Sequence, residues 1–346
     1  MKQITWGDPA ADRKNLTIYQ PDIALTTTDS TASLGVSDTQ VFICSTPETR
    51  SICNDPFVSG MEYTNKLSAA CAKVLKALTA TGELNLVERN TTVLHVLRGG
   101  LNFGLREAVA SSLKFNNHAA AFISAQRARV SEKSADWVVT ESSYQKLHLS
   151  SLNQIILGDV VATGTSLEYA LERIGTVASS SNAEISDLVF FTIGGPRSHE
   201  ILAQTAQKFK RQFKQFRKAI VVYFEGIFPV ATNDSELSIK IDGTDLLRGE
   251  GAQLAPEFIE SQYENPVFPL ERCTIYDAGS RAFSPAEYFG DILEYWQATH
   301  ELALAGTSFD QLLKERMPQI QRSRFAAEID LKSLCASQIA KAKVML

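Results

Sequence analysis

Apolar and polar residues follow two different periods along the middle of this chain, one typical of buried strands and the other of amphipathic helices. Short apolar runs predict strands over residues 92–97, 119–124, 155–161, 187–193 and 219–224. Between them, apolar residues return at helical spacing, as in Leu105, Ala108 and Val109 or in Leu167, Ala170 and Leu171. This alternation predicts an α/β fold, in which right-handed crossovers join a parallel sheet flanked by helices.

The two ends of the chain have different patterns. Residues 1–56 are polar and rich in Thr, Ser and Asp, with short extended candidates at 16–19 and 39–44, and we predict a peripheral segment outside the core. Residues 285–346 are helical in pattern and predict a C-terminal extension that packs on the core or forms a subunit contact. The predicted domain spans 57–284.

Composition limits the functions to be considered. The 346 residues are 44% hydrophobic, so a sizeable core is expected. The net charge of -5 argues against nucleic acid or an anionic membrane as partner. Five cysteines without a Cys-x-x-Cys pair suggest neither zinc nor disulfides. Because the N-terminus has no apolar run of signal-peptide length, we expect a cytoplasmic protein.

The stretch Ile155–Ser166 combines the end of a strand, an acid and a small-residue loop that leads into a helix. Backbone N–H groups and hydroxyls of Thr163, Gly164, Thr165 and Ser166 can face an anion, helped by the partial positive charge of the helix N-terminus. Asp159 stands where a carboxylate can accept sugar hydroxyls or hold hydrated Mg²⁺. The alternative is a buried strand followed by an ordinary capped helix.

A second loop, Arg98-Gly99-Gly100, follows the strand predicted at 92–97. Paired glycines let the backbone approach a ligand closely, and an arginine at the end of a strand offers a planar donor fork to phosphate. Ligands of parallel sheets lie at the carboxyl ends of the strands, so Arg98, Asp159 and the loop Gly194–Arg197 are expected on one rim.

Both loops resemble those of the type I phosphoribosyltransferases, and Val96–Leu101 is similar to the pyrophosphate loop of the uracil enzymes. The resemblance implies phosphoribosyl pyrophosphate as donor, a nucleobase as acceptor, and Mg²⁺. It assigns the 5′-phosphate to Ala162–Ser166, ribose or Mg²⁺ to Asp159, and pyrophosphate to Arg98 with the Gly99 and Gly100 backbone. Gly158 departs from the family, because it stands where the first of two acids is usual.

Two further segments are similar to parts of that family. The polar stretch 126–134 has the place of a hairpin that closes over the active site, and Arg127 and Arg129 would then face pyrophosphate; an exposed hairpin with surface charges explains them equally well. Tyr276–Phe283 resembles a base-recognition segment and makes Asp277 a candidate base contact. A simple capped loop is its alternative.

The resemblance also bears on the acceptor. Ala162 occupies the position of an aspartate base in the 6-oxopurine enzymes, so a pyrimidine such as uracil is favoured. We expect a phosphoribosyltransferase, as a homo-oligomer. The alternative is a non-catalytic regulatory protein that binds phosphoribosyl pyrophosphate or a nucleotide, because the loss of one ribose-binding acid weakens catalysis more than phosphate binding.

Overall fold

A computed structural model describes residues 1–4, 15–23, 38–129, 137–249, 251–272 and 284–346. Its strands are β1 (Lys2–Ile4), β2 (Thr17–Gln20), β3 (Thr39–Ser45), β4 (Thr91–Leu97), β5 (Ala119–Ser124), β6 (Gln126–Arg129), β7 (Trp137–Glu141), β8 (Gln145–Lys146), β9 (Leu152–Val161), β10 (Glu184–Gly194), β11 (Lys218–Ile227) and β12 (Gln253–Leu254). Its α-helices are α1 (Pro47–Asn54), α2 (Gly60–Ala80), α3 (Leu105–Leu113), α4 (Thr165–Ser180), α5 (Arg197–Gln212), α6 (Pro256–Ser261), α7 (Pro285–Leu304), α8 (Phe309–Arg316) and α9 (Leu331–Met345).

The predicted parallel sheet is present. Six strands run parallel in the spatial order β3-β11-β10-β9-β4-β5, and β1, β2, β8 and β12 add antiparallel pairs at its margins. The α2 and α3 helices pack together, and so do α4 and α5. Because β4 steps to β5 in one direction and β9 steps to β10 in the other, right-handed crossovers place α3 and α4 on opposite faces.

The core lies between these helices and the sheet. In β10 every residue after Glu184 is buried, which explains the apolar run Leu188–Phe191, since a parallel strand inside a sheet is covered on both faces. The α2 helix buries one stripe, and the members of that stripe recur at helical spacing: Tyr63, Leu67, Ala70, Cys71, Val74, Leu75 and Leu78. Both patterns were predictable because burial on one or two faces leaves its period in the sequence.

The expectation that residues 1–56 contribute no core is wrong for β3. This strand lies inside the sheet between β2 and β11, and Phe42, Ile43 and Cys44 are at most 1% exposed. Its seven residues follow a long polar stretch, so composition averaged over 56 residues concealed a short buried strand. The domain boundaries at residues 56 and 284 stay predictions.

The C-terminal helices pack on the core, which was one of the two alternatives predicted for this extension. Tyr288 at the start of α7 donates its hydroxyl hydrogen to the Pro56 carbonyl at 2.6 Å, and the rings of Phe57 and Phe289 stack with centroids 6.4 Å apart. The α9 helix then packs along α7. Among the helices of the described ranges, none is both long and apolar enough to cross a membrane.

The amino end of the sheet carries a buried polar network centred on Asp187. Its carboxylate accepts hydrogen bonds from Gln154 Nε2 at 2.9 Å, Ser186 Oγ at 2.8 Å and Arg217 Nε at 3.1 Å. Asp187 is 2% exposed, whereas the Arg217 side chain is 53% exposed. Because buried polar atoms are costly without partners, this network stabilises the end of the sheet opposite the candidate site.

Candidate functional site

The strand order creates one crevice where the chain reverses its direction of travel across the sheet. From β4 the chain moves outward to β5, whereas from β9 it moves the other way to β10 and β11. The neighbours β4 and β9 are therefore a topological switch point, and their outgoing loops diverge to opposite faces. Ligands of open α/β sheets bind in such a crevice, at the carboxyl ends of the strands. The two loops singled out in the sequence both start here.

The first loop lies directly on β9. The peptide between Leu97 and Arg98 is cis, and Gly99–Leu101 forms a 3₁₀ turn. A Cβ on Gly100 would lie 2.9 Å from the Gly158 carbonyl oxygen, so a side chain there would separate the two loops. Arg98 is exposed on the rim. The close neighbour of Gly100 is therefore the backbone of β9, and the approach of this loop to a ligand stays a prediction.

The second loop turns from β9 into α4 around Gly164. This residue has φ = 82°, a conformation that favours glycine, and a Cβ there would also lie 2.4 Å from Ile201 Cδ1. The hydroxyls of Thr163 and Thr165 lie 3.3 Å apart, and Ala162 is buried beneath them. The first helical bond runs from Glu168 N–H to the Gly164 carbonyl at 2.9 Å. The N–H groups at the start of α4 therefore have no partner within the helix and point outward.

Asp159 and Ser166 have specific hydrogen bonds. Asp159 is half-buried near the carboxyl end of the β9 strand, and its Oδ1 accepts a hydrogen bond from the Val160 N–H at 3.0 Å. Ser166, in the first turn of α4, donates its hydroxyl hydrogen to the Ala125 carbonyl at 2.8 Å. The structure therefore places the acid beside the loop, as the sequence predicted, but uses the Ser166 hydroxyl for a contact between segments.

Gly158 has a packing explanation that the sequence did not supply. A Cβ on Gly158 would lie 2.6 Å from both Cγ and Cδ1 of Phe103, a ring that is fully buried. In register with Gly158 lie His95 of β4 and Phe191 of β10, and His95 stacks on Phe122 with ring centroids 5.1 Å apart. The space for a side chain at position 158, where the phosphoribosyltransferases that this loop resembles usually have an acid, is therefore filled by an aromatic ring.

The hairpin predicted between the two loops is present as the β6–β7 pair. Its root is closed by the Ser124 N–H, which donates to the Tyr144 carbonyl at 2.8 Å. Arg127 and Arg129 lie on β6, which leaves the rim directly after β5, and their roles stay predictions. Asp277 and the segment Tyr276–Phe283 lie outside the described residues.

The loop after β10 completes the rim. Gly195 N–H donates to the Val161 carbonyl at 2.9 Å, which holds Gly194–Arg197 against the phosphate-type loop. Arg197 then forms ion pairs with Glu168 at 3.4 Å and Glu200 at 3.2 Å. As expected, the carboxyl ends of β4, β9 and β10 bring Arg98, Asp159 and this loop to one rim.

A buried acid near the same rim was missed in the sequence. Glu225 has φ = 65° near the end of β11 and accepts hydrogen bonds from Ser45 Oγ at 2.6 Å, from Thr46 N–H at 3.0 Å and from the Thr49 hydroxyl. Burial raises the pKa of Glu225 to about 7, against the lowering effect of these bonds. The signal in the sequence was an acid within the apolar run of β11. Its hydrogen bonds link the end of β11 to the start of α1, where Thr46 is the N-cap residue.

Comparisons with known proteins give distant structural neighbours. No protein family and no curated protein matches this chain. Among solved structures, the hypoxanthine phosphoribosyltransferase of Staphylococcus aureus is 13% identical, with 46% of this chain and 74% of that chain covered and a TM-score of 0.25. The enzyme of Trypanosoma cruzi, in complex with its product IMP, is 12% identical, with 59% and 84% covered and a TM-score of 0.26.

A third neighbour is the hypoxanthine-guanine phosphoribosyltransferase of L. donovani, 18% identical, with 46% of this chain and 83% of that chain covered and a TM-score of 0.22. At these TM-scores the likeness carries no argument about the site. None of the three is a uracil enzyme, so a particular closeness to uracil phosphoribosyltransferases stays a prediction.

Proposed function

We propose that this chain is a phosphoribosyltransferase, which transfers ribose 5-phosphate from phosphoribosyl pyrophosphate to a nucleobase and releases pyrophosphate. The observation that carries the proposal is that two loops suited to bind anions start at one topological switch point, with Asp159 near the end of β9, shortly before the second loop. A donor with a phosphate at one end and a pyrophosphate at the other needs two such loops on either side of a group that binds the sugar.

The geometry supports a division of roles within the crevice. The 5′-phosphate is assigned to Ala162–Ser166, where α4 begins and its N–H donors and dipole favour an anion. Pyrophosphate is assigned to the Gly99 and Gly100 backbone and to Arg98, whose guanidinium matches phosphate oxygens with two parallel donors. Arg127 and Arg129 on the hairpin are proposed as further cations for the leaving group.

Catalysis in this arrangement is mainly positioning and electrostatics. As the bond to pyrophosphate breaks, positive charge grows on the ribose ring and negative charge on the leaving group. In this proposal Asp159 holds the ribose hydroxyls, and Arg98 stabilises the charge on pyrophosphate. Holding both ends of the donor lowers the entropic part of the barrier before the base attacks.

The residues also fit Mg²⁺, although they do not form a dedicated cage. Within the described ranges, no group of three or more Asp, Glu, His or Cys side chains is placed to hold a metal. Mg²⁺ is commonly held by one or two carboxylates together with substrate phosphates and water. Asp159 is the residue proposed to hold it, and the ion would supply charge neutralisation of pyrophosphate.

For the acceptor we propose a pyrimidine such as uracil, with Asp277 as a base contact. The proposal depends on Ala162, which is buried and offers no basic side chain toward the loop. A protein that acts on a pyrimidine should release pyrophosphate with uracil but not with hypoxanthine or guanine.

A regulatory protein that binds the donor without catalysis is the second candidate. Phe103 favours it, because an apolar ring occupies the space where a second ribose-binding acid would lie. A hydrogen bond to a charged group is worth about 1.5–3 kcal/mol, so its loss lowers the rate roughly tenfold to a hundredfold. Turnover with one acid is therefore reduced but not abolished.

The experiment is pyrophosphate release from phosphoribosyl pyrophosphate with Mg²⁺ and a panel of bases, alongside donor binding by calorimetry. Asp159→Asn should lower kcat/KM about tenfold to a hundredfold while donor binding changes less. Glu172→Gln, an exposed acid on α4, is the matched control and should leave both unchanged. Donor binding without base-dependent release favours the regulatory protein, and the absence of donor binding refutes both.

A further inference from the structure

The Ser166 hydroxyl joins two parts of the site that are far apart in the chain. Ser166 is the second residue of α4 and belongs to the loop assigned to the 5′-phosphate. Its hydroxyl donates to the carbonyl of Ala125, at 2.8 Å, and Ala125 is the residue between β5 and β6. The bond therefore ties the phosphate-type loop to the root of the β6–β7 hairpin.

A serine hydroxyl has a single hydrogen to donate. While it is donated to Ala125, it is not available to a phosphate oxygen, which is an acceptor. A phosphate bound with this contact intact therefore depends on the backbone N–H groups of the loop and on the Thr163 and Thr165 hydroxyls. The Ser166 side chain is thereby used for a contact with a residue outside the loop, the carbonyl of Ala125.

The contact lies where the hairpin is attached to the rest of the molecule. After β7 the chain returns to the sheet beside Ser124. There the Ser124 N–H donates to the Tyr144 carbonyl at 2.8 Å, and the Tyr144 N–H donates to Ser124 Oγ at 3.3 Å. Ser166 holds the residue after Ser124, where the chain leaves the sheet and enters β6. Both strands of the hairpin also pack against α4.

We propose that Ser166 is a positioning residue whose hydroxyl holds the root of the β6–β7 hairpin against the phosphate loop, and so places the strand that carries Arg127 and Arg129 beside the pyrophosphate. The inference rests on the proposed function for its ligand. It gives Ser166 an effect on the binding of the pyrophosphate group, although Ser166 belongs to the loop assigned to the 5′-phosphate.

Binding of two ligands separates this role from simple phosphate contact. Ser166→Ala should weaken phosphoribosyl pyrophosphate about three- to tenfold and ribose 5-phosphate less than twofold, because the latter has no pyrophosphate. Thr165→Ala is the matched control: it removes a loop hydroxyl bonded only to Thr163 among the described residues, and should weaken both ligands equally. Equal losses for both ligands in Ser166→Ala would overturn the proposal.

A double-mutant cycle gives the second readout. If Ser166 acts through the hairpin, Arg127→Ala should weaken the binding of phosphoribosyl pyrophosphate, relative to ribose 5-phosphate, less in the Ser166→Ala variant than in the natural protein. The same cycle with Thr165→Ala should be additive. Additive effects in both cycles would contradict the role of Ser166 and leave it a phosphate contact.

Limited trypsin digestion tests the contact without any donor. Cleavage after Arg127 and Arg129, followed by mass spectrometry, should be about three- to tenfold faster in Ser166→Ala and within twofold of the natural protein in Thr165→Ala. An unchanged rate in Ser166→Ala refutes the inference. If the natural protein binds neither ligand, the proposed function is wrong, and the protease rates alone then decide whether Ser166 holds the hairpin root.

Discussion

Replacing Gly158 tests the packing explanation for the missing acid. A methyl group at this position would lie 2.6 Å from Cγ and Cδ1 of Phe103 and 3.0 Å from its Cβ, well inside van der Waals contact. The ring is fully buried and cannot move into solvent. Overpacking of this kind costs about 1–3 kcal/mol, so we expect Gly158→Ala to lower the free energy of unfolding by that amount.

An aspartate at the same position should cost more. Its carboxylate would enter an apolar space beside Phe103, and an unpaired buried charge adds several kcal/mol to the overpacking term. Since typical domains are stable by about 5–15 kcal/mol, Gly158→Asp is expected to fold poorly. Introducing an acid at position 158 therefore requires that the aromatic ring of Phe103 be replaced by a smaller side chain as well.

Urea unfolding of the original protein and four variants measures these effects. Phe103→Leu makes space, so the double variant Gly158→Ala with Phe103→Leu should lose about 0.5–2 kcal/mol less than the sum of the single variants. Gly290→Ala is the control, because nothing lies within 4 Å of a Cβ at that helical position, and it should gain about 0.5–1 kcal/mol. Additive losses, or a Gly158→Ala protein as stable as the original, would refute the explanation.

Three further predictions concern other parts of the molecule. Burial raises the pKa of Glu225 to about 7 from an ordinary 4.5, so the folded protein keeps this proton at a higher pH than the unfolded chain does. The contribution of Glu225 to stability therefore falls as pH rises between those two values, by up to about 1.4 kcal/mol per pH unit. Glu225→Gln should flatten the profile of unfolding free energy over this window, and parallel profiles would exclude the effect. Asp187→Ala should lower the free energy of unfolding in urea by about 3 kcal/mol without changing the affinity for the donor. Arg217→Ala should lower it by less than about 1 kcal/mol, because the Arg217 side chain is half exposed. Equal losses of stability in the two variants would contradict the role of the network. Arg98→Lys should raise the Kd of phosphoribosyl pyrophosphate about tenfold, measured by calorimetry, and leave the Kd of ribose 5-phosphate unchanged. Weaker binding of both ligands would contradict the assignment of Arg98 to pyrophosphate.

Several elements of the fold were predictable from local pattern alone. The strands around residues 92–97 and 187–193 form where continuous apolar runs occur, and the α2 helix buries the stripe that its spacing indicates. The loop from Asp159 to Ser166 was recognisable because a strand end, an acid and a small-residue loop that leads into a helix are neighbours in the chain. Such features depend on residues a few positions apart, so they leave a local signal.

What the amino-acid order left open depends on contacts between distant segments. β3 belongs to the core because β2 and β11 lie on either side of it, and its polar surroundings in the chain gave the opposite impression. Gly158 is explained by Phe103, 55 positions away, and the Ser166 hydroxyl is used by Ala125, 41 positions away. Local periodicity records which face of an element is buried, but it contains no information about which partner covers that face. That choice is made when the crossovers bring β4, β5 and β9 together, and the candidate site is formed at the same step.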